Sequence, residues 1–330
     1  MTKIIGRLKN IGIAKEAVRG IGTSPTFWCP KGDITVEDKV VKARSGMNFG
    51  DINIYGNKSI VTKQWAEGNL TMDMYSQNFG LLLTALAGAS PSSSGAVDSA
   101  YTHTYTVDGD SNQHQSLAIT ADETSIGDIM FRLAMLNSMS LTITPEETVA
   151  VSVDFMAKKS VGTSVVKNYT DECKFVGRDL SVKIEDETGD LTAGTAVSVK
   201  ALSINFNKNT VLDHNLGTVE PEDIINQGME ISGEITLDYE DRTYRDLMVD
   251  GTYKAMRIDL TNTRDTIGAG AVNPEFTIDL SRVDFEAWDT SSAPDEVMTQ
   301  TFSFMGLYDI TNGNVVNALT LVNGHAGTNY

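Results

Sequence analysis

From Met229 to Glu240 the chain alternates strictly between apolar and polar positions. Ile231, Ile235, Leu237 and Tyr239 share one parity; Glu230, Ser232, Glu234, Thr236, Asp238 and Glu240 share the other. A period of two predicts a β-strand with one buried and one wet face. The stretch from Glu67 to Met74 has the same form, with Leu70, Met72 and Met74 inward and Asn69, Thr71 and Asp73 outward. A hairpin follows around Pro145-Glu146-Glu147. Its arms put Met139, Leu141, Ile143, Val151, Val153 and Phe155 inside and Ser140, Thr142, Ser152 and Asp154 outside. A second hairpin, with a longer turn over Asp289–Asp295, places Thr301 and Ser303 on its wet face.

These strands come in matched pairs. Gly68-Asn69-Leu70-Thr71-Met72-Asp73-Met74 resembles Gly233-Glu234-Ile235-Thr236-Leu237-Asp238-Tyr239, half a chain away. Ile34–Glu37 resembles Ile204–Asn207, Leu141–Thr144 resembles Val283–Glu286, and Val151–Met156 resembles Gln300–Met305. Four matches in one order predict an internal duplication, with units at 1–165 and 166–330 and a boundary near Ser160–Tyr169. Each unit also carries one short helical pattern: Gln77–Leu86 before Gly88, and Asp241–Val249 before Gly251. These helices are expected to cap the sheets. The predicted fold is therefore mainly β: two tandem β-sandwich or half-barrel units, each with a short flanking α-helix.

Two stretches read as loops. Ala89–Ala100 is rich in Ser, Gly and Ala. Ala43–Lys58 carries Phe49, Ile52, Ile54 and Tyr55 among glycines and predicts an extended hairpin with an apolar tip; Val211–Asn226 is its counterpart. Apolar tips on a monomer have no structural purpose, so these are candidate contacts between copies.

Composition narrows the function. The 330 residues carry 44 acidic and 26 basic side chains, a formal net charge of −18. That balance disfavours gripping a phosphate backbone, and no basic patch is visible. The start, Met1–Asn10, has basic residues but no apolar core of a secretory signal, and no run approaches a membrane span. Cys29 and Cys173 are the only cysteines and are expected to be free thiols made in a reducing cytoplasm.

Reactive chemistry is hard to find. No metalloprotease, P-loop, dinucleotide or nucleophile-elbow motif is present. Asp108-Gly109-Asp110-Ser111-Asn112 lacks the Gly and Glu that a calcium loop needs and reads as a turn. His103 and His114 flank it, as a facing metal pair or, more commonly, as solvated side chains. Trp28, Trp65 and Trp288 are either a sugar-binding platform or core-edge and subunit contacts. No catalytic, metal or cofactor site is expected.

The opening Gly6–Gly22, with Ile-Ala-Lys-Glu-Ala-Val-Arg-Gly-Ile-Gly-Thr, resembles the start of siphophage tail tube proteins. Ser138–Lys158, a strand, an acidic turn and a strand ending in Phe-Met-Ala-Lys, is similar to that family's late hairpin. The resemblance implies a structural virion protein of the phage tail, made in the host bacterial cytoplasm. Family members close β-sandwiches with a flanking helix into rings, usually of six copies, that stack into a hollow tube and conduct DNA. A duplicated chain would need three. The implied partners are other copies of the chain, a tape measure protein, and tail tip and tail terminator proteins; DNA would pass without specific binding, and no membrane is involved. The candidate lumen residues are Asn69, Thr71, Asp73, Ser152, Asp154, Glu234, Thr236, Asp238, Thr301 and Ser303; the candidate inter-ring residues are Phe49, Ile52, Ile54 and Tyr55. Arg282, on a wet face, is expected to pair with a carboxylate. The competing reading is a tandem β-sandwich binding module, carbohydrate-binding or adhesin-like, presenting its tryptophans in a groove.

Overall fold

A computed structural model describes residues 5–44, 52–53, 59–95, 99–123, 126–268, 270, 272–311, 315–327 and 330. Its strands are β1 (Asn10–Lys15), β2 (Phe27–Cys29), β3 (Gly32–Arg44), β4 (Ser59–Asp73), β5 (Ser92–Ser93), β6 (Tyr101–Tyr105), β7 (Leu117–Asp122), β8 (Asp128–Ile143), β9 (Ala150–Ala157) and β10 (Val161–Thr163), with helix α1 (Asn78–Ala87) after β4. There follow β11 (Leu180–Glu185), β12 (Ala196–Val197), β13 (Val199–Asn207), β14 (Val211–Asp213), β15 (Asp223–Ile225), β16 (Glu230–Asp238), helix α2 (Thr243–Asp250), β17 (Lys254–Thr261), β18 (Glu275–Ser291), β19 (Thr299–Gly306) and β20 (Val316–Asn323). The predicted β-rich class is observed, and the strands pair antiparallel throughout.

Eight strands form one sheet in the order β3-β4-β9-β8-β13-β16-β19-β18. Two strands are long enough to serve two sheets. The first part of β8 pairs with β7 and β10, its second part with β9 and β13. Similarly, the first part of β18 pairs with β17 and β20, its second part with β19. Just past each switch, on the side of the eight-stranded sheet, lies a bulge, at Asn137 in β8 and at Glu286 in β18, where bulges commonly bend a strand. The remaining strands extend outward as β2-β1-β7 from β8 and as β12-β11-β17 from one side of β18, with β20-β6-β5 on the other.

The pairing pattern of β1-β2-β3-β4-α1-β7-β8-β9 thus recurs in β11-β12-β13-β16-α2-β17-β18-β19. It also shifts two of the sequence matches. Val36 lies opposite Gly68 as Ile204 lies opposite Gly233, so Val36, not Ile34, is the counterpart of Ile204. Leu136 faces Phe155 as Phe285 faces Phe304, so Leu136 is the counterpart of Phe285. The first shift is of two residues, which keeps every side chain on its face; the second is of seven, and the bulge at Asn137 is what returns Leu136 and Ile143 to the same face.

One contiguous core holds both halves together, from Ile13, Leu70 and Val153 to Ile204, Ile235, Phe276 and Phe304. The halves also interlock: β6 pairs with β20, and the Tyr330 hydroxyl donates to the Gln77 carbonyl at 2.8 Å. Helix α1 begins where the Glu172 carboxylate accepts the backbone N–H groups of Gln77 and Asn78, both at 2.9 Å, and ends at Gly88 in the left-handed region. Every residue of α1 is buried, so it is a core helix rather than a cap. Helix α2 ends likewise at Gly251, but none of its residues is fully buried. The sequence explains the contrast, since α1 is Leu- and Ala-rich while α2 carries Arg245, Asp246 and Asp250.

Lys208 is the costly member of the interior. It is fully buried, its Nζ donates to the Ala85 carbonyl at 2.7 Å near the end of α1, and burial aided by the Arg19 charge lowers its pKa to about 7. Its ordinary value is 10.5. Between those limits the unfolded chain binds a proton that the folded chain lacks, so stability rises with pH there, by about 1.4 kcal/mol per unit. Lys208→Met should flatten that slope, raising the denaturation midpoint more at pH 6 than at pH 9. A second expectation concerns the matched glycines. A Cβ on Gly68 would lie 2.5 Å from the Phe155 ring, and one on Gly233 would overlap the Phe304 ring. Gly68→Ala and Gly233→Ala should each cost about 1–3 kcal/mol in denaturant unfolding.

Candidate functional site: the polar face of the eight-stranded sheet

The eight-stranded sheet has an apolar face turned to the core and a polar face turned away from it. Registers carry single polar rows across several strands. One row runs Asp33, Thr71, Ser152, Ser140, Asn205, Ser232. A neighbouring row runs Thr35, Asn69, Asp154, Ser138, Asn207, Glu230. A third links Thr142, Ser203, Glu234 and Ser303, and a fourth links Thr236, Thr301 and Asp289. All ten polar positions anticipated from alternation fall on this one face.

The side chains bond one another along these rows. Asn69 Nδ2 donates to Ser152 Oγ at 2.9 Å and to Asp154 Oδ1 at 2.7 Å, and its own Oδ1 accepts from Thr71 Oγ1 at 3.0 Å. Ser138 Oγ donates to Asp154 Oδ2 at 2.7 Å, and the hydroxyls of Thr236 and Thr301 bond at 3.0 Å. Short, mutually bonded side chains make a smooth polar surface with few long cations. Three of them are held by carboxylates: Lys39 by Glu37 at 2.6 Å, Lys200 by Asp238 at 2.5 Å, and Arg282 by Glu187 at 2.5 Å. The Glu37 hydrogen bond raises the Lys39 pKa, and the Glu187 hydrogen bond does the same for Arg282. The pairing expected of Arg282 is thus present.

Two anticipated positions are less open than alternation suggests. Asp73 is only 7% exposed and bonds Lys31 Nζ at 2.9 Å, at the end of its strand. Asp238 is occupied by Lys200. Asp154 and Glu234 are the exposed carboxylates of the set. Of the anticipated apolar tip, Phe49, Ile54 and Tyr55 lie outside the described residues, and Ile52 is fully exposed. Ser203, Asn205 and Asn207 on β13 were not anticipated as part of this face. Their alternation with Leu202, Ile204 and Phe206 carried the signal.

The other candidates resolve as structure. His103 and His114 are buried, not solvated, and do not share a site: His103 bonds Ser93 Oγ at 2.8 Å and Asn323 Oδ1 at 3.1 Å, while His114 Nε2 bonds the Asp108 carbonyl at 2.9 Å. Burial lowers the pKa of both. The tryptophans form no common platform: Trp28 is buried against Tyr169, Trp65 packs by His214 and donates to Glu67, and Trp288 packs by Tyr239 and donates to Gln300. Among the described residues no cluster of three or more His, Cys, Asp or Glu side chains is placed to hold a metal. Burial pushes the Cys29 thiol up to about 12.

A polar sheet face without a reactive constellation is a surface, and its family is informative. A family model described as phage tail tube protein matches residues 6–306. The chain belongs to the phage tail tube protein family. No curated protein matches it closely enough to count as a relative. As a tail tube protein it has a structural role in the virion tail, and its family points away from enzymatic activity. No helix among the described residues is long and apolar enough to cross a membrane.

Asn69→Ala removes the donor that joins two strands across the face, so a loss of about 1 kcal/mol is expected in chemical denaturation. Thr35→Ala, on the same row but with a solvated neighbour position, should stay within about 0.5 kcal/mol of wild type.

Proposed function

We propose that the chain is built of two tandem tube units, 1–165 and 166–330, and that three copies close a pseudo-sixfold ring whose polar sheet face lines the bore. The observation that carries this reading is the seam between β8 and β13. There the four strands β3-β4-β9-β8 and the four strands β13-β16-β19-β18 join edge to edge over Ser138–Ile143 and Leu202–Asn207. Among the described residues, nothing pairs with the outer edge of β3 or with the corresponding edge of the second part of β18. By the recurrence of the pairing pattern, the edge of β18 is the counterpart of the β8 edge, and β3 is the counterpart of β13. A second seam of the same kind between copies removes both edges and continues the sheet into a closed barrel.

Rings stack into a tube, with the exposed Ile52 reaching toward the next ring. The acidic and hydroxylated rows then face the bore. Asp154, Glu234 and Asp289 repel phosphate, so DNA slides through without adhering. The tube encloses a tape measure protein during assembly, is bounded by tail tip and terminator proteins, and is built from chains made in the bacterial cytoplasm. The dispersal of the three tryptophans gives the binding-module alternative no support.

Electron microscopy of concentrated protein should reveal tubes of uniform bore with threefold ring symmetry; particles that stay monomeric at every concentration and salt would contradict the reading. Asp154→Lys combined with Glu234→Lys should leave the tubes intact while lowering DNA delivery by phage that carry it.

A further inference from the structure

The two halves differ in the charge of the segments that join β3 to β4 and β13 to β16. In the second half, the arm between β13 and β16 bends at Asn209, whose φ is 50°, and folds onto the first half. The bulge residue Asn137 is its clasp. The Asn137 carbonyl accepts from Lys208 N at 2.8 Å, and Asn137 Oδ1 accepts from Thr210 N at 3.0 Å and Thr210 Oγ1 at 2.9 Å. Ile224 and Leu212 of the arm pack on Leu133, Met135 and Met156. The arm is acidic, with Asp213, Glu220, Glu222 and Asp223, and its bed is basic. Arg19 holds Asp223 and the Ile224 carbonyl, and Arg132 and Lys159 lie 3.8 and 3.6 Å from Glu220.

The first half's arm has the opposite sign, and its described stem touches the other arm at its base, where Gln64 N–H donates to the Val219 carbonyl at 2.9 Å. Its described stem, residues 39–44 and 59–64, carries Lys42, Arg44 and Lys63, besides Lys39, which Glu37 holds, and no acid. It also exposes Val40, Val41, Ile60 and Val61. The ladder of this arm slips between Val41 and Lys42. Counting on from the matched pair Val36 and Ile204, Val41 is the counterpart of Asn209, where the other arm bends, and Lys42 is the counterpart of Thr210.

The bed is inverted as well. Counting from the matched pair Leu136 and Phe285, the counterpart of the clasp Asn137 is Glu286, which is exposed. Ile13 faces Ile119 as Ile184 faces Met256, and Ile119 faces Phe131 as Met256 faces Leu280. The corresponding loop of the second half, residues 186–195, is shorter and holds Asp186, Glu187 and Asp190 and no cation. Asp284 stands where Met135 stands. The surface that the acidic arm covers in the first half thus carries Glu286 and Asp284 in the second, beside Arg282, which stands where Leu133 stands and is already held by Glu187.

We propose that the basic β3–β4 arm of one copy docks on the acidic second half of the next copy, with Lys42 meeting the bulge carboxylate of Glu286 as Thr210 meets Asn137 within the chain. The partner is a second copy of this chain, and the proposal rests on the tandem-unit ring described above. The inverted polarity has a use beyond attraction. A basic arm on the basic bed of a first half, or an acidic arm on the acidic bed of a second half, meets like charge. First and second halves must then alternate around the ring, which prevents copies from pairing in the wrong order.

The test is a charge exchange. Lys42→Glu and Glu286→Lys should each lower the fraction of protein that sediments as tubes by at least about tenfold relative to wild type, with unchanged circular dichroism. Their combination, Lys42→Glu with Glu286→Lys, should restore most of it. Single variants that assemble like wild type, or a folded double variant that does not recover, would overturn the proposal. If wild type itself forms no tubes, the ring reading fails instead, and a mixture decides the seam. Lys42→Cys protein mixed with Glu286→Cys protein under mild oxidation should yield a disulfide-linked pair of copies; its absence would overturn the seam.

Discussion

The edge-to-edge hydrogen bonding of β8 with β13 is the constraint on which the rest of the molecule depends. A strand edge presents a row of backbone donors and acceptors that must be satisfied or kept in water. Pairing these two edges inside one chain fuses two four-stranded sheets into a single eight-stranded one. Only then do Asn69 and Glu234, on different halves, belong to one surface. The same junction determines where the second half's arm lands, because Lys208 and Thr210 follow directly on the paired residues of β13 and meet Asn137 at the end of the paired part of β8.

The interior is organised around that junction. Helix α1 is submerged between the halves and supplies the carbonyl that accepts from Lys208, while α2, at the outer end, stays half exposed. The C-terminal segment returns to the first half through Asn323 and Tyr330, whose side chains bond the Ser76 and Gln77 carbonyls. Neither half is a closed body. The strand β6 belongs to the first half by sequence and to the second by pairing. The bounds 1–165 and 166–330 describe a proposed ancestry of the chain better than a line of separation in space.

Much of the sheet was legible in the sequence because burial imposes a parity that survives misjudged register. Ile231, Ile235 and Leu237 are buried as alternation requires, and all ten polar positions lie opposite the core. Parity could not tell Ile34 from Val36 as the partner of Ile204, since both point the same way. It could not show that Asp73 is shielded by Lys31 at a strand end, nor that β8 would pair across halves, which depends on contacts remote in sequence. The bulges at Asn137 and Glu286 were invisible for a related reason. A bulge breaks alternation by one residue, and in a sequence this resembles the end of one strand and the start of another. The histidines misled because an Asp- and Gly-rich turn suggested a wet setting, whereas His103 and His114 fill interior sites and are satisfied by neighbours.

The continuity of β8 and β18 has a mechanical consequence. Each of β8 and β18 passes from the outer strands to the eight-stranded sheet as one uninterrupted backbone. A load that tries to slide one layer over the other is therefore resisted by covalent bonds, in tension along the strand, rather than by side-chain packing alone. In a long hollow assembly, bending stretches one wall and compresses the other. A wall whose two layers share continuous strands behaves as a laminate with stitched plies, stiff against delamination while the joints between copies supply the compliance.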